Sequence, residues 1–479
     1  MLTKNTTWIT LFIGYLLLNS CTPSKESLPN IVFFLVDDLG WMDVSFRDST
    51  FYETPNIDDL SSKSMNFSQA YASHPRCEPS RYSIITGMYP ARSKLPGKSK
   101  GLTYNDSFLT SFFKASGYKT FFVGKWHLSM NGIYPEHAGF DINVAGGDAG
   151  APKSYFYPYN FVKSGSGKNN PPFINNIPKT KNGKYLTDQL TEISVSMIKK
   201  YGDEPFFLFL SHFGVHTPLE SKQSYLNEFD QKKNRKQIID TINSIKFSPW
   251  SGEEKLIRNN SSYAGMIKSI DKSLGKIIEA LKVMKQFENT IIVFTSDHGG
   301  LSNRGNKRPL ATSNYPLRAG KGHLYEGGIR IPHFVFWKDK INNGWTDHQI
   351  IGMDHLLSLI NLTNLVPLND LPKIDGRSYA DVLLGKDPEY PDRSLFWHSP
   401  IPRPKSTGDR ASSAIRKGNY KLIHFYEDNL FELYDISKDI EEKNNLVNYK
   451  PYIASEMKKN LQNWKISVQA YHRKDLSNN

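Results

Sequence analysis

The strongest apolar runs of the chain fall at residues 30–36, 118–123, 205–210 and 290–295. The first, NIVFFLV, has no polar position after Asn30. Such a run suits a strand covered on both faces. Between the runs, residues 186–201 and 262–284 place apolar side chains at helical spacing. The second has a Lys-rich outer face, and Thr187 reads as the N-cap of the first. Strands alternating with helices predict an α/β fold, a large mainly parallel sheet sandwiched by helices. After residue 386 the pattern changes. Residues 394–397, 412–416, 420–425 and 431–435 read as short strands, and 452–470 as a closing helix. They predict a smaller C-terminal subdomain on a short antiparallel sheet.

Each long apolar run ends in chemically active residues. The first runs into Asp37-Asp38-Leu39-Gly40, the second into Gly124-Lys125-Trp126-His127. The third leads to Ser211-His212 and then His216, the fourth to Ser296-Asp297-His298-Gly299-Gly300. In open α/β sheets ligands bind beyond the carboxyl ends of the strands. One such end would be turn chemistry; four at one edge predict a site. Asp37, Asp38 and Asp297 would repel one another without a cation between them. Carboxylate sites prefer hard ions such as Ca²⁺ or Mg²⁺. His298 is a further ligand or a contact to an anion beside the metal. The chain has no cysteine cluster, which argues against structural zinc. Residues 145–184 are rich in Gly, Asn, Pro, Lys and Tyr. There Tyr155, Tyr157 and Tyr159 alternate beside Lys153, which suits sugar stacking with an anion contact, or a solvated insertion.

The 479 residues, 38% hydrophobic and 13% aromatic, exclude a disordered chain and suffice for one large domain with an appendage. The net charge of +13 is scattered, with no long Lys/Arg block. That points to a small or polymeric anionic ligand and away from nucleic acid. There are two cysteines. Cys21 follows Lys4 and an apolar run over residues 8–18 that is too short to span a bilayer. Leu18-Asn19-Ser20-Cys21 resembles a bacterial lipobox. The expectation is a lipoprotein signal peptide over 1–20, a tether over 21–29 with lipid on Cys21, and export to the cell envelope. Cys77 then has no disulfide partner.

Cys77 sits in His74-Pro75-Arg76-Cys77-Glu78-Pro79-Ser80-Arg81. The flanking arginines would lower the thiol pKa, and the next residues could start a helix whose N–H groups face an anion. Lys125, His127, His216 and Lys321 add donors and proton carriers. A hard cation, a nucleophile and a ring of basic groups describe transfer of an oxyanion group.

Cys77-Glu78-Pro79-Ser80-Arg81 followed by Thr86-Gly87 resembles the signature of the type I, formylglycine-dependent sulfatases of the alkaline-phosphatase-like superfamily. Asp37-Asp38, Thr54-Pro55-Asn56-Ile57, Gly124-Lys125-Trp126-His127, Ser296-Asp297-His298-Gly299, Gly320-Lys321-Gly322, Tyr325-Glu326-Gly327-Gly328, Glu432-Leu433-Tyr434-Asp435 and Asn445-Leu446 resemble further family motifs, in the family's order. The resemblance implies a bacterial polysaccharide sulfatase with a catalytic domain over 30–385 and a C-terminal subdomain over 386–479. It implies that a formylglycine-generating or anaerobic sulfatase-maturating enzyme converts Cys77 to Cα-formylglycine. One Ca²⁺ would be held by Asp37, Asp38, Asp297, His298 and the modified Cys77; many members have Asn in place of His298. Arg81 and Lys125 would hold the hydrated aldehyde and sulfate, and His127 would help release sulfate. Lys321 and His216 would contact sulfate oxygens, with His216 or Lys321 as general acid. The substrate would be a sulfated glycan, algal or glycosaminoglycan. Tyr155, Tyr157, His398, Arg403, Lys405 and Arg410 are candidates for sugar contacts, whereas His74, His212 and His323 attract no role. Two alternatives are a phosphate-ester hydrolase on the same fold and a non-catalytic, lipid-tethered glycan-binding protein.

Overall fold

The computed structural model describes residues 28–471, except 48, 95–100, 105, 160–173, 175, 236–243, 247–251, 306–308, 367–370, 373 and 388–391. The expected signal peptide, Cys21 and nearly all of the expected tether lie outside the described residues. Among the described residues no helix is long and apolar enough to cross a membrane.

Eight strands form the main sheet. Their order across it is Gly344–Thr346, Met65–Phe67, His333–Phe336, Thr290–Ser296, Asn30–Val36, Phe206–Ser211, Lys119–Gly124 and Ile142–Val144. The last five run parallel. His333–Phe336 is antiparallel to both of its neighbours. The sheet is therefore mainly parallel with a mixed edge. That edge was not legible from the sequence, because its strands are only three or four residues long.

The uninterrupted apolar run of Asn30–Val36 has a direct cause. Val32, Phe34 and Val36 face one core with the helices Leu186–Tyr201 and Ser261–Val283. Ile31, Phe33 and Leu35 face a second core with the helices Cys77–Thr86 and His355–Leu362. Both sheet faces are covered, so every side chain of the strand needs an apolar partner. The Asn260 side chain caps Ser261–Val283 by accepting from the Tyr263 N–H at 3.0 Å. The sequence assigned the cap of the other helix to Thr187. Leu186–Tyr201 instead begins after an extended Tyr185, and Thr187 lies buried within its first turn, its carbonyl accepting from the Thr191 hydroxyl.

The C-terminal strands Ser394–Ser399, Ser412–Lys417, Tyr420–Phe425 and Leu430–Asp435 form one antiparallel sheet in sequential order. The helix Pro451–Ser467 closes it, with Trp464 stacked on Phe396 at 4.9 Å between ring centroids. This sheet shares a third core with Tyr71, Tyr89, Tyr325 and Met353 of the larger body.

A buried ion cluster crosses the same joint. Lys421 Nζ lies 3.0 Å from Glu326 and 2.9 Å from Glu442. Burial favours the neutral form of both acids. Lys421, Arg416 and Arg330 overcome it for Glu326 and hold that carboxyl at about 2. One ammonium cannot satisfy both carboxylates, and Glu442 is pushed up to about 7 by burial and by Glu326.

Replacing Lys421 by Met leaves buried Glu442 without its cation and Glu326 with only the more distant Arg330 and Arg416. Urea unfolding of Lys421→Met is expected to show a loss of about 3–5 kcal/mol. Glu442 takes up its proton more readily folded than unfolded, so its contribution is favourable at low pH and fades as pH rises toward 7. Glu442→Gln should therefore flatten the pH dependence of stability between about 4.5 and 7.

Candidate active site

The parallel strands deliver their C-terminal residues to one edge of the sheet. Asp37 and Asp38 leave Asn30–Val36, with Asp38 turned into the left-handed region at φ 60°. Asp297 follows Thr290–Ser296, and its N–H donates to the Val36 carbonyl at 3.1 Å, locking the two strand ends together. Gly124 ends its strand at φ 113°, where a Cβ would stand 1.8 Å from the Ser211 carbonyl oxygen. Only glycine lets the chain pass there, and Lys125 N–H then donates to that carbonyl at 2.7 Å. Cys77 opens the helix Cys77–Thr86, a free thiol buried at the helix N-terminus. Arg81 lies one turn further on the same face.

These residues meet in one buried cluster. Lys125 Nζ donates to Asp37 at 2.6 Å, and Lys321 Nζ to Asp38 at 2.6 Å. Arg81 Nε donates to Asp297 at 2.9 Å. Its Nη1 donates at 2.7 Å to both the Lys125 carbonyl and the Ser211 hydroxyl. His298 Nε2 is 3.2 Å from both Cys77 Sγ and Asp38. Lys321 Nζ is 3.6 Å from the same sulfur, and the His127 ring lies close enough to interact with it. His216 Nδ1 meets the Thr217 carbonyl at 2.6 Å, which turns Nε2 to within 3.9 Å of Asp38.

The charges decide the protonation states. Burial would raise the Cys77 thiol, but Lys125, Lys321 and His298 outweigh it and hold the thiol well below its usual range. Burial, with Asp297 and Cys77 nearby, lifts Asp37 well above a normal carboxyl despite Lys125. Asp38 stays depressed against its burial because Lys321, His216 and His298 face it. Burial and Lys321 push His216 down to about 3, so it rests neutral.

The donor set fits a hard divalent cation. Asp37 Oδ1 is buried without a hydrogen-bond partner. Ligand atoms of Asp37, Cys77, Asp297 and His298 lie within 4.8 Å of one another, as do those of Asp37, Asp38, Cys77 and His216. Oxygen ligands at 2.3–2.6 Å from one Ca²⁺ can be that far apart. The His298 Nδ1 meets the Gly299 carbonyl at 3.0 Å, which leaves Nε2 to face the carboxylates.

All ten residues singled out for the site therefore gather at one place: Asp37, Asp38, Cys77, Arg81, Lys125, His127, His216, Asp297, His298 and Lys321. Three of the sugar candidates do not fit that part. Tyr155 is wholly buried, and its hydroxyl donates to the carbonyls of Phe213 and His216, so it positions the His216 loop. His398 is buried between Ser413 and the Tyr471 carbonyl. Arg410 pairs with Glu427 and Asp428. Tyr157 is half-buried against Tyr159, while Arg403 and Lys405 are exposed. The sequence reading named Ser211 at its strand end but gave it no role; its hydroxyl joins Arg81 to the Lys125 carbonyl. That reading missed Asp409, which pairs with Arg76 and ties the C-terminal subdomain to the start of the Cys77 helix.

A family model described as Sulfatase matches residues 29–364, and one described as N-sulphoglucosamine sulphohydrolase, C-terminal, matches 319–467. A sulfatase of Formosa agariphila is 28% identical, covering 96% of this chain and 93% of its own length. The N-acetylgalactosamine-6-O-sulfatase of Bacteroides thetaiotaomicron is 27% identical, covering 91% of this chain and 93% of its own. The crystal structure of Ps i-CgsB matches with a TM-score of 0.73 at 28% identity, covering 91% of this chain and 93% of that one. That protein has also been solved in complex with k-i-k-neocarrahexaose. With one family model spanning most of the sequence and relatives aligned over nearly its whole length, the chain belongs to the sulfatase family and is a sulfuric ester hydrolase.

Proposed function

We propose that this chain hydrolyses sulfate esters on a sulfated glycan, with residue 77 matured to formylglycine and Ca²⁺ held by Asp37, Asp38, Asp297 and His298. The observation that carries the reading is Cys77 itself. It is the first residue of a helix, sharing a buried pocket with three carboxylates and the cations of Lys125, Lys321 and Arg81. The glycan is supported by two relatives, one an N-acetylgalactosamine-6-O-sulfatase and the other bound to a carrageenan-type hexasaccharide. A maturating enzyme that reads the Cys77–Arg81 segment, and a lipid on Cys21 holding the protein at the bacterial envelope, belong to the same proposal.

The Cys77 sulfur stands where the hydrated aldehyde would place its oxygens. Once matured, residue 77 would supply one hydroxyl to attack sulfur and a second whose deprotonation would expel sulfate, and a cation held by Asp37, Asp38, Asp297 and His298 would supply charge that acidifies the hydroxyl and screens the sulfate. Lys125 and Lys321 flank residue 77 and offer ammonium groups to the sulfate oxygens. Arg81 braces Asp297 and the Lys125 backbone, so the pocket needs little rearrangement when charge develops. His127, close to residue 77, is the base that takes the second hydroxyl's proton. His216 has its Nδ1 proton committed to a backbone carbonyl, so Nε2 is the atom that carries a proton to the leaving oxygen. The sulfate's negative charge and Asp38 favour that protonated form.

Intact-mass analysis of active protein should show the thiol-to-aldehyde change at residue 77. Cys77→Ala and Cys77→Ser should lose turnover altogether; sulfate release by either at the wild-type rate would refute the nucleophile. Chelation should abolish activity, and Ca²⁺ should restore it. His216→Ala should slow a sugar sulfate by about 10²–10⁴-fold but barely affect 4-nitrophenyl sulfate, whose leaving group needs no proton. Lys321→Ala should slow both substrates alike. The reverse pattern would transfer the acid role to Lys321.

A further inference from the structure

The sheet has a second functional edge. His333–Phe336 runs antiparallel to Thr290–Ser296, pairing Phe336 with Ile292 near that strand's start. The chain after Phe336 therefore lies at the end of the sheet opposite Asp297 and His298. One strand of seven residues, at about 3.3 Å per residue, separates the two edges by roughly 20 Å. The helix Ser261–Val283 ends at the same far edge. A cleft of about 900 Å³ opens there.

Its lining is strongly basic. Lys63, Lys282, Lys285, Lys338 and Lys340 contribute to it, against the carboxylates of Glu288 and Asp339; Lys338 pairs with Glu288 and Lys63 with Asp59, so Lys282, Lys285 and Lys340 carry the argument. Aromatic surface lies among the ammonium groups. Phe287 stacks on Phe336 at 4.9 Å between centroids, Lys282 Nζ stands 5.1 Å over the Phe287 ring, and half-buried Trp337 continues the wall. The side-chain amides of Asn342 and Asn343 complete the lining.

We infer that this cleft binds a segment of sulfated polysaccharide away from the ester being cleaved, an inference that rests on the sulfated-glycan reading above. Ammonium groups pair with sulfates, aromatic rings stack on the apolar faces of sugars, and amides and carboxylates bond to hydroxyls. An anionic bilayer is the competing partner, because Leu28, close in sequence to the proposed lipid on Cys21, lies beside the cleft, where Asn289 Nδ2 donates to its carbonyl. The chemistry favours the glycan. A bilayer presents a broad surface that cannot enter a concave site, whereas a single polymer segment can. The cleft holds the polymer while the opposite edge works on its chain, raising the concentration of sulfate esters around the catalytic pocket.

The test uses the full chain carrying Lys282→Glu, Lys285→Glu and Lys340→Glu together, all at exposed positions. Binding is read in a Cys77→Ala background by affinity electrophoresis in ι-carrageenan or chondroitin sulfate, and by co-sedimentation with phosphatidylglycerol vesicles. Turnover of 4-nitrophenyl sulfate is read with Cys77 intact. The triple variant should bind at least one of the polymers about tenfold more weakly, with aryl sulfate turnover unchanged. The corresponding Lys→Arg triple variant should keep both properties. Equal retention of the Lys→Glu variant in both polymers would overturn the inference, as would loss of vesicle binding with polymer retention intact. Cleft-dependent polymer binding by a protein with no sulfatase turnover would uphold the cleft and refute the function proposed above.

Discussion

Three carboxylates and a thiol buried together at the end of a parallel sheet form the constraint to which the rest of the molecule answers. Each negative group has its own positive partner: Asp37 has Lys125, Asp38 has Lys321 and Asp297 has Arg81. His298 stands between Asp38, Asp297 and the Cys77 sulfur. The pairing is still incomplete, since Asp37 Oδ1 finds no donor and Asp37 is driven toward its neutral form. The pocket thus combines a ring of fixed cations with a buried carboxylate oxygen that has no hydrogen-bond partner, the features on which the proposed Ca²⁺ site rests. Buried charges with this much mutual repulsion persist only where the surrounding structure is rigid. Here the rigidity comes from strands whose partners on both faces are fully packed.

The C-terminal subdomain shares in that rigidity. Lys321 lies five residues before Glu326, and Glu326 is held by Lys421 of the small sheet. Gly322 follows Lys321 at φ 95°, where a Cβ would stand 2.5 Å from Asp409 Oδ1. Its N–H donates to the Pro75 carbonyl at 2.8 Å, two residues before the nucleophile position. Asp409 also pairs with Arg76, the residue just before Cys77. The small sheet is thus wired into both the cation facing Asp38 and the start of the nucleophile helix. Disturbing the joint should be felt in the pocket.

The legible parts of the molecule were those where chemistry and pattern coincide. The central strands announced themselves because two-sided burial leaves no polar position, and the site residues because they follow those strands directly. Cys77 stood out through its neighbours, and the C-terminal sheet through its short alternating strands. What stayed hidden depends on contacts across long sequence separations. The three-residue strand Met65–Phe67 takes its place from pairing with His333–Phe336, more than 260 residues away. Tyr155 reads as an exposed sugar platform in a polar segment, yet the fold buries it and uses its hydroxyl to fix the His216 loop. Asp409 shows nothing in its local sequence, because its partner Arg76 comes from the other end of the chain.

The direction of the sheet gives these observations a common consequence. Parallel strands place all their carboxyl ends, and hence Asp37, Lys125, His216 and Asp297, on one side. The same geometry sends the end of the helix Ser261–Val283, the start of the strand after it and the chain entry at Leu28 to the other side. Positive charge gathers at both edges, but in different states. At the edge that carries Asp37 and Asp38, Lys125 and Lys321 are buried and committed to carboxylates, and in the function proposed above they act at short range on one sulfate. At the far edge Lys282, Lys285 and Lys340 are exposed to solvent, where salt screens them beyond about 8 Å. Short-range, desolvated charge suits chemistry on a single ester, and screened, distributed charge suits loose attachment to a long polyanion. A polymer held at the far edge stays free to slide, while the pocket at the other edge admits one sulfate at a time.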